Sequence, residues 1–196
     1  MTSMQRRGFL ALGGLAAGSL AAPKILRAQS LTNVADTLAG DTRFARFLDM
    51  ITRASSVEDF RQAAPMTVFA PVDQAFLGAP QGLLQDLLGG NNAGQTASNI
   101  ERERVVALIR NHVVPGSFSP AELGGAERRL RTQNGGDILI SGSGTNMTVS
   151  NPAPALQLGG FGAAGAQVAS TPAQVLGSPV TASNGVIYPI SQIVWP

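Results

Sequence analysis

An apolar run that stops abruptly, Thr67-Val68-Phe69-Ala70-Pro71, followed at once by Val72-Asp73-Gln74-Ala75-Phe76, constrains this chain more than any other feature. Five residues with a β-branched and aromatic bias read as a buried strand. Pro71 ends its ladder because proline has no N–H to donate. Asp73 then stands where a carboxylate accepts from the free N–H groups at the next helix start. Near the C-terminus, Asn184-Gly185 reads as a tight turn feeding a second apolar run, Val186-Ile187-Tyr188. Pro189 in that run cannot donate a ladder hydrogen bond and is expected at an edge or bulge.

The segments before the first strand carry helical spacing. Leu31, Val34, Ala35 and Leu38 repeat at i, i+3, i+4 and i+7, and Phe44, Phe47, Leu48 and Ile51 do the same. Gly40 separates the two, with Asp41 or Thr42 as cap of the second. Ser55 and Ser56 precede Glu58 and Asp59 at capping-box spacing, which predicts a further short helix. After the strand, Leu83, Leu84, Leu87 and Leu88 form another apolar face, and residues 89–98 read as a polar Gly/Asn-rich loop. Val105, Leu108, Ile109 and His112 then share one helix face, which Pro115-Gly116 terminates. Ser119-Pro120-Ala121-Glu122 has the cap, the first-turn proline and the returning carboxylate of a helix start. From Arg128 onward the period is that of short strands, with Asn134-Gly135 as a turn and closing strands over 175–180 and 186–194. Helices first and strands second define an α+β class rather than alternating βαβ units.

Charge is misleading if read over the whole chain. The formal net charge is +2, but Arg6, Arg7, Lys24 and Arg27 all lie in the first thirty residues, and without them the remainder carries −2. A nucleic-acid-binding role therefore has no support in the charge balance. Arg6-Arg7-Gly8-Phe9-Leu10 followed by a Gly/Ala-rich apolar stretch reads as a twin-arginine-type signal peptide over residues 1–28. Cleavage is expected after Ala28, with Ala21 as the other candidate. The stretch is shorter than the ~20 apolar residues of a bilayer-spanning helix. Membrane contact is thus expected only through this segment, if it stays uncleaved. The expected location is periplasmic or secreted.

Three blocks in order resemble the fasciclin-like domain family, a module of secreted and surface proteins. The first is residues 67–76. The second is Ile109-Arg110-Asn111-His112-Val113-Val114-Pro115-Gly116, similar to a family segment that has Tyr where Asn111 stands. The third is residues 184–196, with Tyr188 where the family usually has His. The resemblance spans residues 31–196. It implies a β-wedge or sandwich flanked by several helices, within which residues 151–172, rich in Gly, Ala and Pro, form an insertion. It implies a non-catalytic interaction or adhesion module binding a protein or glycan at the cell envelope. Some animal members use the Tyr-His segment to bind integrin, and the missing Tyr removes that implication here.

His112 is the only histidine and Cys is absent, so a thiolate or multi-histidine metal site has no ligands, and no cofactor is expected. The spacing of His112 with apolar neighbours argues for a structural, core-facing ring. A Ser-His-Asp hydrolase lacks a Gly-x-Ser-x-Gly elbow, and the chain is expected not to be an enzyme. Thr67, Asp73, Asn184 and Gly185 join His112 as structural residues. Asn111, Ser117, Phe118, Arg129 and Arg131 are the expected surface contacts for a partner, because strand alternation puts both arginines on one face. A charge-protected edge strand accounts for the same arginines. The alternative function is carriage of a small apolar ligand, lipid or carotenoid-like, in a pocket covered by the insert, with Leu156, Leu158 and Phe161 as its lip.

Overall fold

The computed structural model describes residues 31–79, 99–152 and 171–196. The expected signal segment, the Leu83–Leu88 helical pattern, the expected 89–98 loop and nearly all of the expected 151–172 insertion lie outside the described residues.

Three short helices open the domain: α1 (Val34–Ala39), α2 (Ala45–Arg53) and α3 (Val57–Arg61). The longest described helix, α4, spans Asn99–Asn111, and α5 (Pro120–Leu123) is a single turn. The strands form two four-stranded sheets. The first has the order β2-β1-β8-β7, with β1 at Met66–Pro71, β2 at Val113–Pro115, β7 at Val180–Ala182 and β8 at Gly185–Ile190. The second has the order β3-β4-β5-β6, with β3 at Gly125–Arg131, β4 at Asp137–Gly142, β5 at Thr148–Ser150 and β6 at Ala173–Gln174. The fold is α+β, as the sequence predicts.

The apolar runs at residues 67–71 and 186–188 lie side by side. β1 and β8 pair in parallel, with Met66 opposite Gly185 and Pro71 opposite Ile190. All residues of both strands are buried. That is why they read as continuous apolar runs rather than alternating ones. On one face Met66, Val68, Ala70 and Ile187 pack with Val34, Leu38, Phe47, Ile51 and Leu108 from the helices. On the other, Phe69, Val186, Tyr188 and Ile190 pack with Ile138, Ile140 and Val149 of the second sheet. The first sheet is thus the middle of three layers.

The sheets are joined at one corner. After β6 the chain bridges to the end of β8: Val175 faces Ile190, Leu176 N–H donates to the Pro189 carbonyl at 2.7 Å, and Ser191 N–H donates to the Gln174 carbonyl at 2.9 Å. The continuous strand expected over 175–180 is not formed: Val175 makes a single bridge to Ile190, Val180 begins β7, and residues 176–179 between them are not strand. Pro189 lies in an inner strand, but beyond Val180↔Ile187, where β7 pairing ends. Its missing N–H costs no bond to β7 there.

Several caps differ from expectation. Leu31 is exposed, and α1 starts at Val34 with Asn33 as its cap. Asp41 accepts from Arg43 N–H at the head of a 3-10 turn, Thr42–Phe44. Asp73 does not cap the turn that follows it. Its carboxylate accepts the Arg46 N–H of α2 at 2.8 Å, across 27 residues of chain. Tertiary packing brings the positive end of α2 to Asp73, while the 3-10 turn Asp73–Phe76 has no side-chain cap. Ser56 makes no side-chain cap bond either, so its capping box with Asp59 is not formed.

α2 ends in a Schellman arrangement: Ser56 N–H bonds to the Ile51 carbonyl and Ser55 N–H to the Thr52 carbonyl, both at 3.0 Å. This places Ser55 at φ 57, the one described non-glycine residue with positive φ. A left-handed residue with a Cβ costs about 1–2 kcal/mol, and glycine in exchange loses about 0.5–1 kcal/mol of unfolded-state entropy. Ser55→Gly is expected to raise stability by up to about 1 kcal/mol, read as a higher urea midpoint at unchanged m-value.

Candidate functional site

The residues singled out in the sequence fall into two groups, one buried and one on the surface. Thr67, on β1, is fully buried. Its hydroxyl donates to the Gly116 carbonyl at 2.7 Å and accepts the Phe118 N–H at 2.9 Å. The Tyr188 hydroxyl donates to the Phe118 carbonyl at 2.9 Å, and its ring stacks on Phe69 with centroids 5.4 Å apart. Burial, with the Glu122 carboxylate adding to it, pushes the Tyr188 phenol up to about 12. The turn after β2 is therefore pinned to the first sheet at both main-chain groups of Phe118. Gly116 sits there at φ +101 with the Phe118 ring folded against it.

Asn111 and His112 close the end of α4. The His112 Nδ1 lies 2.8 Å from the Leu108 carbonyl, and Nε2 accepts the Val194 N–H at 3.0 Å. The second bond requires an unprotonated Nε2, so the neutral ring carries its proton on Nδ1 and donates to Leu108. Phe47 lies against the ring at 5.9 Å between centroids. Burial pushes the imidazole down to about 4, opposed by the Leu108 bond. Both ring nitrogens are engaged by main chain, which leaves neither to act on a bound molecule.

Asn111 corrects an expectation. It is 2% exposed and not a surface contact. Its Nδ2 donates to the Val194 carbonyl at 3.0 Å, and its Oδ1 accepts from the Thr132 hydroxyl at 3.4 Å. The end of α4 turns this side chain inward, where an amide serves both a carbonyl and a hydroxyl. Asn184 is also buried and bonds two separate segments, the start of α1 and the end of α3: Val34 N–H donates to its Oδ1 at 2.8 Å, and its Nδ2 donates to the carbonyls of Phe60 at 3.0 Å and Gln62 at 2.6 Å. Such a residue is invisible to a turn signal, because its partners are more than a hundred positions away.

The surface group is smaller. Ser117 is exposed at the tip of the pinned turn, and Phe118 is half-buried against the second core. Arg129 and Arg131 are exposed on β3, the edge strand of the second sheet. They lie opposite Leu139 and Asp137 on the outward face, while Ile138 and Ile140 of β4 point into the core. A register shift between Gly125 and Arg128 bends the start of this edge. Arg129 is 3.9 Å from Asp137, and among the described residues no carboxylate lies within ion-pair distance of Arg128 or Arg131. Glu122 faces Arg128, but its carboxylate is held mainly by the Ser119 N–H and hydroxyl, both at 2.7 Å, which lower its pKa.

The residues expected to form an apolar lip, Leu156, Leu158 and Phe161, lie outside the described residues. Among the described residues, no three His, Cys, Asp or Glu side chains are grouped to hold a metal ion, and no helix is long and apolar enough to cross a membrane.

A helical layer on two stacked sheets defines an α+β architecture, and the same fold is found in a solved FAS1 domain pair from the insect cell adhesion molecule fasciclin I. The chain superposes on that pair with a TM-score of 0.50 at 13% identity, covering 78% of this chain and 45% of the pair. The fasciclin domain family model matches residues 42–196, and the chain belongs to that family. Protein sll1483 of Synechocystis is 26% identical over 85% of this chain and 75% of its own length. Transforming growth factor-beta-induced protein ig-h3 of Oryctolagus cuniculus is 28% identical over 83% of this chain, which spans 19% of that protein.

Proposed function

We propose that this chain is an exported, non-catalytic fasciclin-family interaction module that binds a protein or glycan partner at the cell envelope. Residues 1–28 are its twin-arginine-type signal, and residues 31–196 are the working domain, in the periplasm or secreted. The family and the adhesion-molecule fold support the class. The observation that carries the site is the outward pair Arg129 and Arg131 on an edge strand. Two guanidinium groups on one strand face hold a carboxylate- or sulfate-bearing partner by charge-assisted hydrogen bonds.

The test compares capture of envelope components by the native protein and by Arg129→Glu/Arg131→Glu, at low and moderate salt. Both side chains are exposed, so folding is expected to survive. Binding is expected to weaken by about tenfold or more, equivalent to about 1.4 kcal/mol, and native binding is expected to fall as salt rises. Equal capture by both proteins would place the contact elsewhere.

A further inference from the structure

The last five residues are attached differently from the rest of the first sheet. Main-chain pairing of β8 ends with the Ser191 N–H to Gln174 bond, and among the described residues no main-chain to main-chain bond is made by residues 192–196. Side chains hold them instead. His112 Nε2 takes the Val194 N–H, Asn111 Nδ2 holds the Val194 carbonyl, and Asn151 Nδ2 donates to the Trp195 carbonyl at 3.0 Å. The segment nevertheless covers the interior: Ile193 packs in the core under the helices, Val194 packs in the core between the sheets, and Trp195 rests on the first of these.

We propose that residues 192–196 form a strap over the two cores and that protonation of His112 releases it while the sheets stay folded. The neutral ring accepts the Val194 N–H. An imidazolium has a donor on both nitrogens, so Nε2–H would face Val194 N–H and the bond becomes a donor–donor contact. The ring is faced by Phe47 from α2, the Leu108 carbonyl from α4 and the Val194 N–H from the strap. Among the described residues, no carboxylate, guanidinium or phenol contributes to its titration. Nothing nearby therefore compensates a buried positive charge. Release would bare the seam beneath Ile193 and Val194, an apolar surface absent from the closed form.

The direction follows from linkage. His112 is held down near 4 by burial with the strap closed, and release of the strap is expected to return the ring to its ordinary 6.5. The open form binds the proton more tightly, so opening grows as pH falls from 6.5 toward 4 and levels off below that. Between pH 7 and pH 5 the opening constant is expected to rise about 20-fold.

Hydrogen exchange on the full chain, corrected for intrinsic rates, tests this, with emission of Trp195 (the chain's single tryptophan) as a second reading. The expected result is that the C-terminal peptide loses protection by that factor while Met66–Pro71 and Gly185–Ile190 keep theirs. Asn111→Ala is expected to open the strap at every pH with the same pH slope. His112→Gln is expected to abolish the slope. The proposal is overturned if strap and sheet lose protection together. It is also overturned if strap exchange is flat between pH 7 and 5, or if a folded His112→Gln keeps the slope. Should His112→Gln not fold, an Asn111→Ala protein without the slope overturns it as well.

Discussion

Gly185→Ala is expected to cost about 3 kcal/mol or more, or to prevent folding. The φ of Gly185 is not in the left-handed region, so alanine's backbone preferences are not the obstacle. The obstacle is space. A Cβ at this position would lie far inside contact with the Met66 carbonyl oxygen and 3.1 Å from the carbonyl carbon, because β1 and β8 start side by side here. The opposing atoms are main chain, so they move only if the strand pair opens. Met66→Ala added to Gly185→Ala is accordingly expected not to rescue stability. A contrast comes from Gly144, at φ +58, where an added Cβ would meet nothing within 4 Å. Gly144→Asn is expected to stay within about 1 kcal/mol of native, since Asn tolerates that region. Urea unfolding midpoints at equal m-value would measure both. Near-native stability of Gly185→Ala would mean that the parallel pair is looser than its register implies.

Asn184→Ala is expected to lose about 3 kcal/mol or more, because it strands the Val34 N–H and the carbonyls of Phe60 and Gln62 together. Each buried group left without a partner costs about 1–3 kcal/mol, the part-buried Gln62 carbonyl costs less, and the costs are not additive. Asn184→Asp separates the roles. Aspartate keeps the acceptor for Val34 N–H but replaces both donated bonds by carboxylate–carbonyl repulsion. It is expected to be no better than alanine at pH 7 and to recover partly as the carboxyl protonates in acid. If the Asn184→Asp protein matched the native one at pH 7, the two carbonyl bonds would be contributing nothing.

Much of this fold is legible in the sequence. The buried strand ended by Pro71, the amphipathic helices at Val34, Phe47 and Leu108, the capping box of Ser119 with Glu122 and the edge character of Arg129 and Arg131 are local in origin. Side-chain period, proline's missing N–H and a three-residue cap report on neighbours along the chain. The three fasciclin-like blocks point to the architecture for the same reason, since each encloses a local device. The site is less legible. Asn111 stands in a block associated with partner contact and is expected on the surface, yet it holds the Val194 carbonyl 83 residues away. Asp73 has the position of a local cap and serves α2 instead. Gly185 looks like a turn glycine and is a packing glycine.

By itself the sequence determined most of the described strands and helices and which of their faces are apolar, because those properties follow from backbone sterics and from burial patterns a few residues long. Only the tertiary structure decided who bonds with whom. Asn184, Asn111, His112 and Asp73 each satisfy a main-chain group that secondary structure leaves open, and the partner is whichever such group packing brings within about 3 Å. A polar side chain's chemistry says that it must be satisfied when buried. Its position along the chain does not say by whom.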